Sequence, residues 1–254
     1  MTLKGRTGIS LLVAVAIVSL GLACGRESRP PVTPTPPVVP VGVPSPAGVN
    51  GTVYWKSSSG RTPAQGVQVG LVVQVQTGRH SGYTSLVDVG STDGRGEFHV
   101  DSVPNGAKII AAARDSGAWS PCMAFVGNYQ GSAYVEIDLY PKTESKEWIV
   151  DATLAGRGPV LTGSATAGGV PQTEADPYFE AVYEVHLASS PVDASGRYAL
   201  CGLPFTLMFP SRLWIENGAR SCDSSGETYA FHAIHPQSPS DSFVRNFDLH
   251  QCRW

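Results

Sequence analysis

The chain has 254 residues, of which 15% are charged, with 28 glycines, 20 prolines and a formal net charge of −3. Sparse charge with abundant Gly and Pro suits short strands joined by turns and leaves little room for long helices. A weakly acidic balance also excludes the basic footprint that nucleic-acid binding requires.

Lys4 and Arg6 precede an apolar run from Leu11 to Ala23, broken by Ser19 and Gly21. The run is short for a bilayer span and suits the core of a signal peptide. It ends in Leu22-Ala23-Cys24-Gly25, which resembles the lipobox of bacterial lipoproteins, with Gly21 where that motif usually has Leu. The resemblance implies a signal peptide over residues 1–23 and lipid attachment at Cys24. Because Gly25 follows, and not Asp, it also implies an exported cell-envelope protein anchored to the outer membrane, on its periplasmic or surface face. Loss of Lys4 and Arg6 with the leader takes the net charge to −5. No later segment reaches 18 apolar residues, so a lipid anchor without a membrane span is expected.

Residues 24–46 are rich in proline. Proline at the density of Arg29 to Pro46 excludes helix and central strand and favours polyproline II, a stalk of about 50 Å over those roughly 17 residues if fully extended.

Val49-Asn50-Gly51-Thr52-Val53-Tyr54-Trp55 is predicted to open the folded part. Val67, Val69, Leu71, Val73 and Val75 then alternate with Gln68, Gly70, Val72 and Gln74, the period of a half-buried strand. Strands are also expected leading into Asp93, after it over Glu97–Val100, and over 108–113, 134–140 and 148–154. The next hundred residues repeat this order. Val160 to Ala165 echoes the opening strand, with Gly163 matching Gly51. Phe179 to Leu187 is expected as one long strand, followed by strands at 197–200 and 207–216. Phe243 to Leu249 is matched to 148–154 as the last strand. Thr92-Asp93-Gly94-Arg95-Gly96-Glu97-Phe98 and Val192-Asp193-Ala194-Ser195-Gly196-Arg197-Tyr198 are the clearest copies, each followed by a proline at the same spacing. Cys122 and Cys222 continue the offset of 100 residues.

Such a repeat implies two copies of one small domain, over residues 47–155 and 157–254. The aspartates suit turns, because a carboxylate accepts backbone N–H groups two residues on. Gly96 and Gly196 suit positive φ. Asp93, Gly96, Asp193 and Gly196 are therefore read as structural turn formers, in preference to calcium ligands or catalytic acids. The ordered set of Val-x-Gly-x-Val strand, long strand, Asp-x-x-Gly-x-aromatic turn and Pro-Gly step resembles the carboxypeptidase regulatory-like domain. The second copy departs from it, since Pro204 is followed by Phe205 and Thr206. The resemblance implies an all-β fold of two tandem seven-stranded Greek-key, transthyretin-like β-sandwiches.

The sequence has no Gly-x-Ser-x-Gly elbow, phosphate-binding loop or His-Glu-x-x-His pair. His232-Ala233-Ile234-His235, with Asp223 and Glu227 upstream, is the best metal candidate. Its spacing does not by itself converge two imidazoles, so neither metal nor other cofactor is expected. Cys122, Cys201, Cys222 and Cys252 remain after lipidation, an even number that suggests bridges in an exported chain. If the last three strands are consecutive and antiparallel, Cys201 pairs with Cys252, leaving Cys122 and Cys222 to pair with each other or stay free. Trp55, Trp148 and Trp214 fall on predicted strands and are read as core, while Trp119 and Trp254 are the candidates for sugar contact. The reading is a non-catalytic envelope lipoprotein for binding, adhesion or scaffolding, with a protein or glycan partner and no nucleic acid. The alternative is a carbohydrate-binding module on the cell surface. Oligomeric state is left open.

Overall fold

Apolar residues at a period of two build most of the described residues into strands. The computed structural model describes residues 47–76, 82–180, 186–207, 211–217, 221–222 and 229–251. The leader and linker with Cys24, and Asp223, Glu227, Cys252 and Trp254, lie outside the described residues. The first half contains β1 (Gly48–Ser57), β2 (Gly60–Pro63), β3 (Gln68–Gln76), β4 (Gly82–Ser91), β5 (Glu97–Val100), β6 (Lys108–Arg114), β7 (Ala118–Trp119), β8 (Ala124–Val126) and β9 (Ser132–Pro141). One helix, α1 (Lys146–Ala152), follows. The second half contains β10 (Val160–Ala167), β11 (Val170–Pro171), β12 (Ala175–Glu180), β13 (His186–Ser189), β14 (Arg197–Cys201), β15 (Ser211–Asn217) and β16 (Ser221–Cys222). It closes with β17 (Tyr229–Ile234), β18 (Ser242–Val244), β19 (Phe247–Asp248) and β20 (His250–Gln251).

The first half is a sandwich. One sheet runs β2-β1-β9-β7, with β5 also on β1, and the other runs β4-β3-β6-β8. Val49, Val53, Phe98, Val135 and Ile137 from one sheet meet Val69, Leu71, Val73, Ile109 and Ala111 from the other in a shared core. The second half repeats the plan. The strand β10 carries β11, β14, β18 and β19, and the facing sheet runs β13-β12-β15-β17. In each copy the opening strand pairs antiparallel with the strand after the Asp turn and parallel with a late strand.

That pairing corrects three expectations. Residues 148–154 are not the last strand, since Lys146–Ala152 is helical and packs Ile149 and Val150 inward. The counterpart of Phe243–Leu249 is β9, because both run parallel to their opening strands. The stretch Phe179–Leu187 is not one strand, since β12 and β13 pair antiparallel and the chain must reverse between them.

The opening glycines have a packing reason. Gly51 lies opposite Phe98, and Gly163 opposite Tyr198. A Cβ on Gly51 would strike the Phe98 ring, and one on Gly163 would strike the Arg245 carbonyl and the Tyr198 hydroxyl. In both copies the aromatic side chain reaches the place of the missing Cβ, by its ring in Phe98 and by its hydroxyl in Tyr198. The Tyr198 hydroxyl donates to the Arg245 carbonyl at 2.5 Å, and burial pushes its pKa far above the ordinary tyrosine value.

The two sandwiches share a face. The inward residues of β3 and β6 serve the first core, but Val72, Ile110 and Ala112 point the other way and join the core of the second sandwich, with Met123. The sheet β4-β3-β6-β8 is therefore covered on both sides. Each large aliphatic side chain buried in this way contributes roughly 1.5–3 kcal/mol.

Gly163→Ala is expected to lower unfolding stability by about 1–3 kcal/mol through overpacking. Gly94→Ala, where nothing lies near the added methyl, is expected to leave it nearly unchanged. Chemical denaturation midpoints of the two variants check this.

Candidate functional site

The acidic turns resolve into structural geometry. The Asp93 carboxylate accepts the backbone N–H groups of Arg95 and Glu97, both at 2.8 Å. These bonds, with Glu97 the larger, hold its pKa below the usual carboxylate range. Asp193 accepts from Ser195 and Arg197 in the same way, at 2.9 and 2.8 Å, and also from Arg197 Nε at 2.6 Å. Gly96 and Gly196 have φ of +73° and +81°. In each turn one carboxylate oxygen, Oδ1, takes both backbone N–H groups and so holds the turn closed.

The second turn is also fastened to the connector between the sandwiches. Glu147 of α1 accepts the Ala194 N–H at 3.0 Å, and Asp151 of α1 lies 3.5 Å from Arg197. Lys146 donates to the Thr173 carbonyl at 2.6 Å. A buried ion pair sits beside this connector: Asp138, fully covered, takes Arg61 from β2 at 2.7 Å and Arg157 from the connector.

Cys122 is bonded to Cys201, with Cα atoms 4.4 Å apart. This corrects the expected Cys201–Cys252 bridge and the Cys122–Cys222 alternative. The reason is topological: β14 and β15 lie in different sheets, and β18 and β19 pair with β10 and not with β15, so the last strands are not the consecutive antiparallel set on which the expectation rested. Instead Pro121–Met123 of the first sandwich runs beside β14. Cys201 N donates to the Pro121 carbonyl at 2.9 Å, and Met123 N to the Cys201 carbonyl at 3.0 Å. The backbone of Cys222 sits on β16, which pairs with β20.

His232 and His235 do not form a metal centre with described residues. The His232 ring packs on Phe247 at 4.8 Å and its Nε2 lies 3.4 Å from the Asn246 carbonyl. Among the described residues no group of three His, Cys, Asp or Glu side chains converges. No helix of the described residues is long and apolar enough to cross a membrane. Trp119 is partly buried under the Lys142 ammonium, 4.8 Å from its ring centre. Trp55 packs against the first core and Trp148 against Tyr140.

Trp214 is the residue that sequence reasoning misplaced. Its neighbours Leu213 and Ile215 are fully buried in the second core, so alternation turns Trp214 to the opposite face. There Tyr178, Trp214 and Phe231 stand in register across β12, β15 and β17. Trp214 and Phe231 have ring centres 4.9 Å apart, and Tyr178 stacks on His186 at 3.8 Å. The Arg212 guanidinium lies over both Trp214 and Phe231, at 5.8 and 5.4 Å. Phe231 is 51% exposed. The flanking Leu-x-Ile pattern was the signal for this outward aromatic.

The same face leads into a cleft of about 820 Å³ between the sandwiches. Asp176, Tyr178 and His186 line one wall, and Arg114, Ser120 and Lys142 the other. Among the described residues the Ser120 hydroxyl, which is buried, has no hydrogen-bond partner.

No protein-family profile matches the chain, and no curated protein matches it. Among solved structures it is similar to the minor pilin GBS52 of Streptococcus agalactiae, at 9% identity and a TM-score of 0.26, over 82% of this chain and 97% of that one. It is also similar to the shaft pilin SpaA of Lactobacillus rhamnosus GG, at 11% identity and a TM-score of 0.24, over 82% and 98%. The TIE protein of Bacillus anthracis matches at 9% and 0.28, over 81% of this chain and 34% of that protein's length. Scores of this size carry no argument about fold or ligand.

Two outcomes follow from this geometry. Peptide mapping without reduction is expected to recover Cys122 linked to Cys201; recovery of Cys201 linked to Cys252 would contradict the fold. Because the Asp93 pKa is lowered on folding, its stabilisation is present above the unfolded value of about 3.9 and is lost as pH falls through the folded value. Asp93→Asn should therefore make the acid loss of stability shallower below about pH 4, measured by denaturation across that range.

Proposed function

We propose that this chain is a non-catalytic cell-envelope lipoprotein, tethered through Cys24 and a Pro-rich stalk, whose paired sandwiches form a binding, adhesion or scaffolding module. The observation that carries the reading is the fixed junction between the sandwiches. The outer face of β3 and β6 is buried under the second core, the Cys122–Cys201 bond crosses the junction, and α1 holds the Asp193 turn. A junction made by apolar packing, a disulfide and a docked helix favours a rigid presenting arm over a hinged pair of domains. An enzyme whose site lies between domains usually needs the opposite property, a joint that can open and close.

Each copy is read as a carboxypeptidase regulatory-like, transthyretin-like sandwich, diverged in the second half. What favours the assignment is the shared pairing plan, with the glycine-facing aromatic and the Asp turn at the same places in both. The leader motif and the low net charge favour export to the outer membrane and a partner other than nucleic acid.

Palmitate labelling of cells producing the full chain is expected to mark the wild type and not Cys24→Ser. Persistent labelling of the variant would remove the anchor from the reading. The purified mature chain is expected to co-sediment with isolated cell envelopes; failure to associate with either their polysaccharide or their protein fraction would remove the binding role.

A further inference from the structure

We infer that the outer face of the second sandwich, centred on Tyr178, Trp214 and Phe231, is a saccharide-binding platform that continues into the cleft between the sandwiches. The inference rests on the reading of the chain as a non-catalytic binding module and names its ligand class.

The internal repeat supplies the comparison. In the first sandwich, Val72, Ile110 and Phe125 stand in register across β3, β6 and β8. These strands correspond in pairing order to β12, β15 and β17, so the row Tyr178–Trp214–Phe231 occupies the equivalent outward positions. The first row shows what this fold uses beneath a covering protein layer: Val72 and Ile110 are almost fully buried, and Phe125 packs against the second core. The second row has a different chemistry. Rings replace the aliphatic side chains, and charged residues share the face, with Asp176 and Glu180 beside Tyr178 and Arg212 beside Trp214. A protein layer of the first kind would bury those charges at a cost that apolar packing does not offset.

A sugar meets both requirements. Its C–H face packs on aromatic rings, while its hydroxyls exchange hydrogen bonds with carboxylate and guanidinium groups. Neighbouring strands lie about 4.8 Å apart, so the row is about 10 Å long, the scale of a short oligosaccharide. The Arg212 guanidinium lies over two of the rings and adds a hydrogen-bond donor to the platform. The cleft adds an independent sign of a polar occupant. Ser120, only 7% exposed, lines the cleft that Tyr178 and Asp176 also line, and among the described residues its hydroxyl has no hydrogen-bond partner.

The test titrates the mature chain, residues 24–254 purified in detergent, with cello-, xylo-, manno- and chito-oligosaccharides of about two to six units, following tryptophan fluorescence and calorimetry. At least one series is expected to bind, with Phe231→Ala and Trp214→Ala each weakening it tenfold or more, Trp214→Phe retaining part of the affinity, and Trp119→Ala leaving it unchanged. Phe231 is half exposed, so its variant should stay folded, and a denaturation midpoint within error of wild type establishes that. Binding that survives both alanine variants, or is lost only in Trp119→Ala, overturns the proposed site. Binding to none of the sugars while the chain still associates with envelope protein overturns the ligand class and leaves the binding module standing. Association with neither overturns both readings.

Discussion

Burial of the outer face of β3 and β6 under the second sandwich is the contact on which the arrangement depends. A two-sheet sandwich normally shows the outer face of each sheet to water, and its strands alternate apolar and polar accordingly. Here β6 carries Ile109, Ile110, Ala111 and Ala112 in succession, with alternate residues feeding two different cores. A run apolar on both faces has no stable place in a lone sandwich. The first copy is thus completed by the second, and the residues between them are constrained in turn. Gly202 is one example: its φ is +64°, and a Cβ there would strike the Met123 carbonyl, so the backbone of 121–123 can lie against β14.

The disulfide and the connector act on the same junction by different physics. The Cys122–Cys201 bond spans 79 residues of sequence, so it removes much of the unfolded chain's freedom, a contribution of about 2–4 kcal/mol. The connector works locally, with Glu147 and Asp151 of α1 meeting the Asp193 turn. Asp193 is wholly buried, whereas Asp93 is exposed. The two turns share a backbone geometry, and the helix packed against one of them accounts for part of the difference in their surroundings.

What could be read from the sequence was local. The Asp turns, their positive-φ glycines and the alternation of Val67 to Val75 depend on residues within a few positions, and the repeat makes the turns and glycines legible twice. The pairing of Gly51 with Phe98 and Gly163 with Tyr198 spans tens of residues, yet the repeat marks the glycines without saying why. The disulfide was not legible, because it depends on which copy's segment lies beside β14, a fact of the junction and not of either copy. Helix α1 was hidden by Ile149 and Val150, whose branched side chains suggest a strand, although Glu147 after Ser145 has the character of a helix first turn. The direction of Trp214 is legible in Leu213 and Ile215 on either side, and its residue type alone points the other way.

Duplicated domains that pack in series create an asymmetry that composition alone does not reveal. The first copy's outer sheet face is committed to holding the second. The equivalent face of the second copy is not built for apolar packing: it carries a row of rings with charged residues beside them. Drift alone would be expected to fill such a face with ordinary polar strand residues, since exposed rings on a sheet gain little from water and invite edge or face association. Three aromatic residues aligned across three strands, with a guanidinium over two of them, is a more ordered arrangement than drift provides. The divergence between the copies thus falls at the one place where the shared fold stops dictating the chemistry, and that is where binding specificity can be built without disturbing either core.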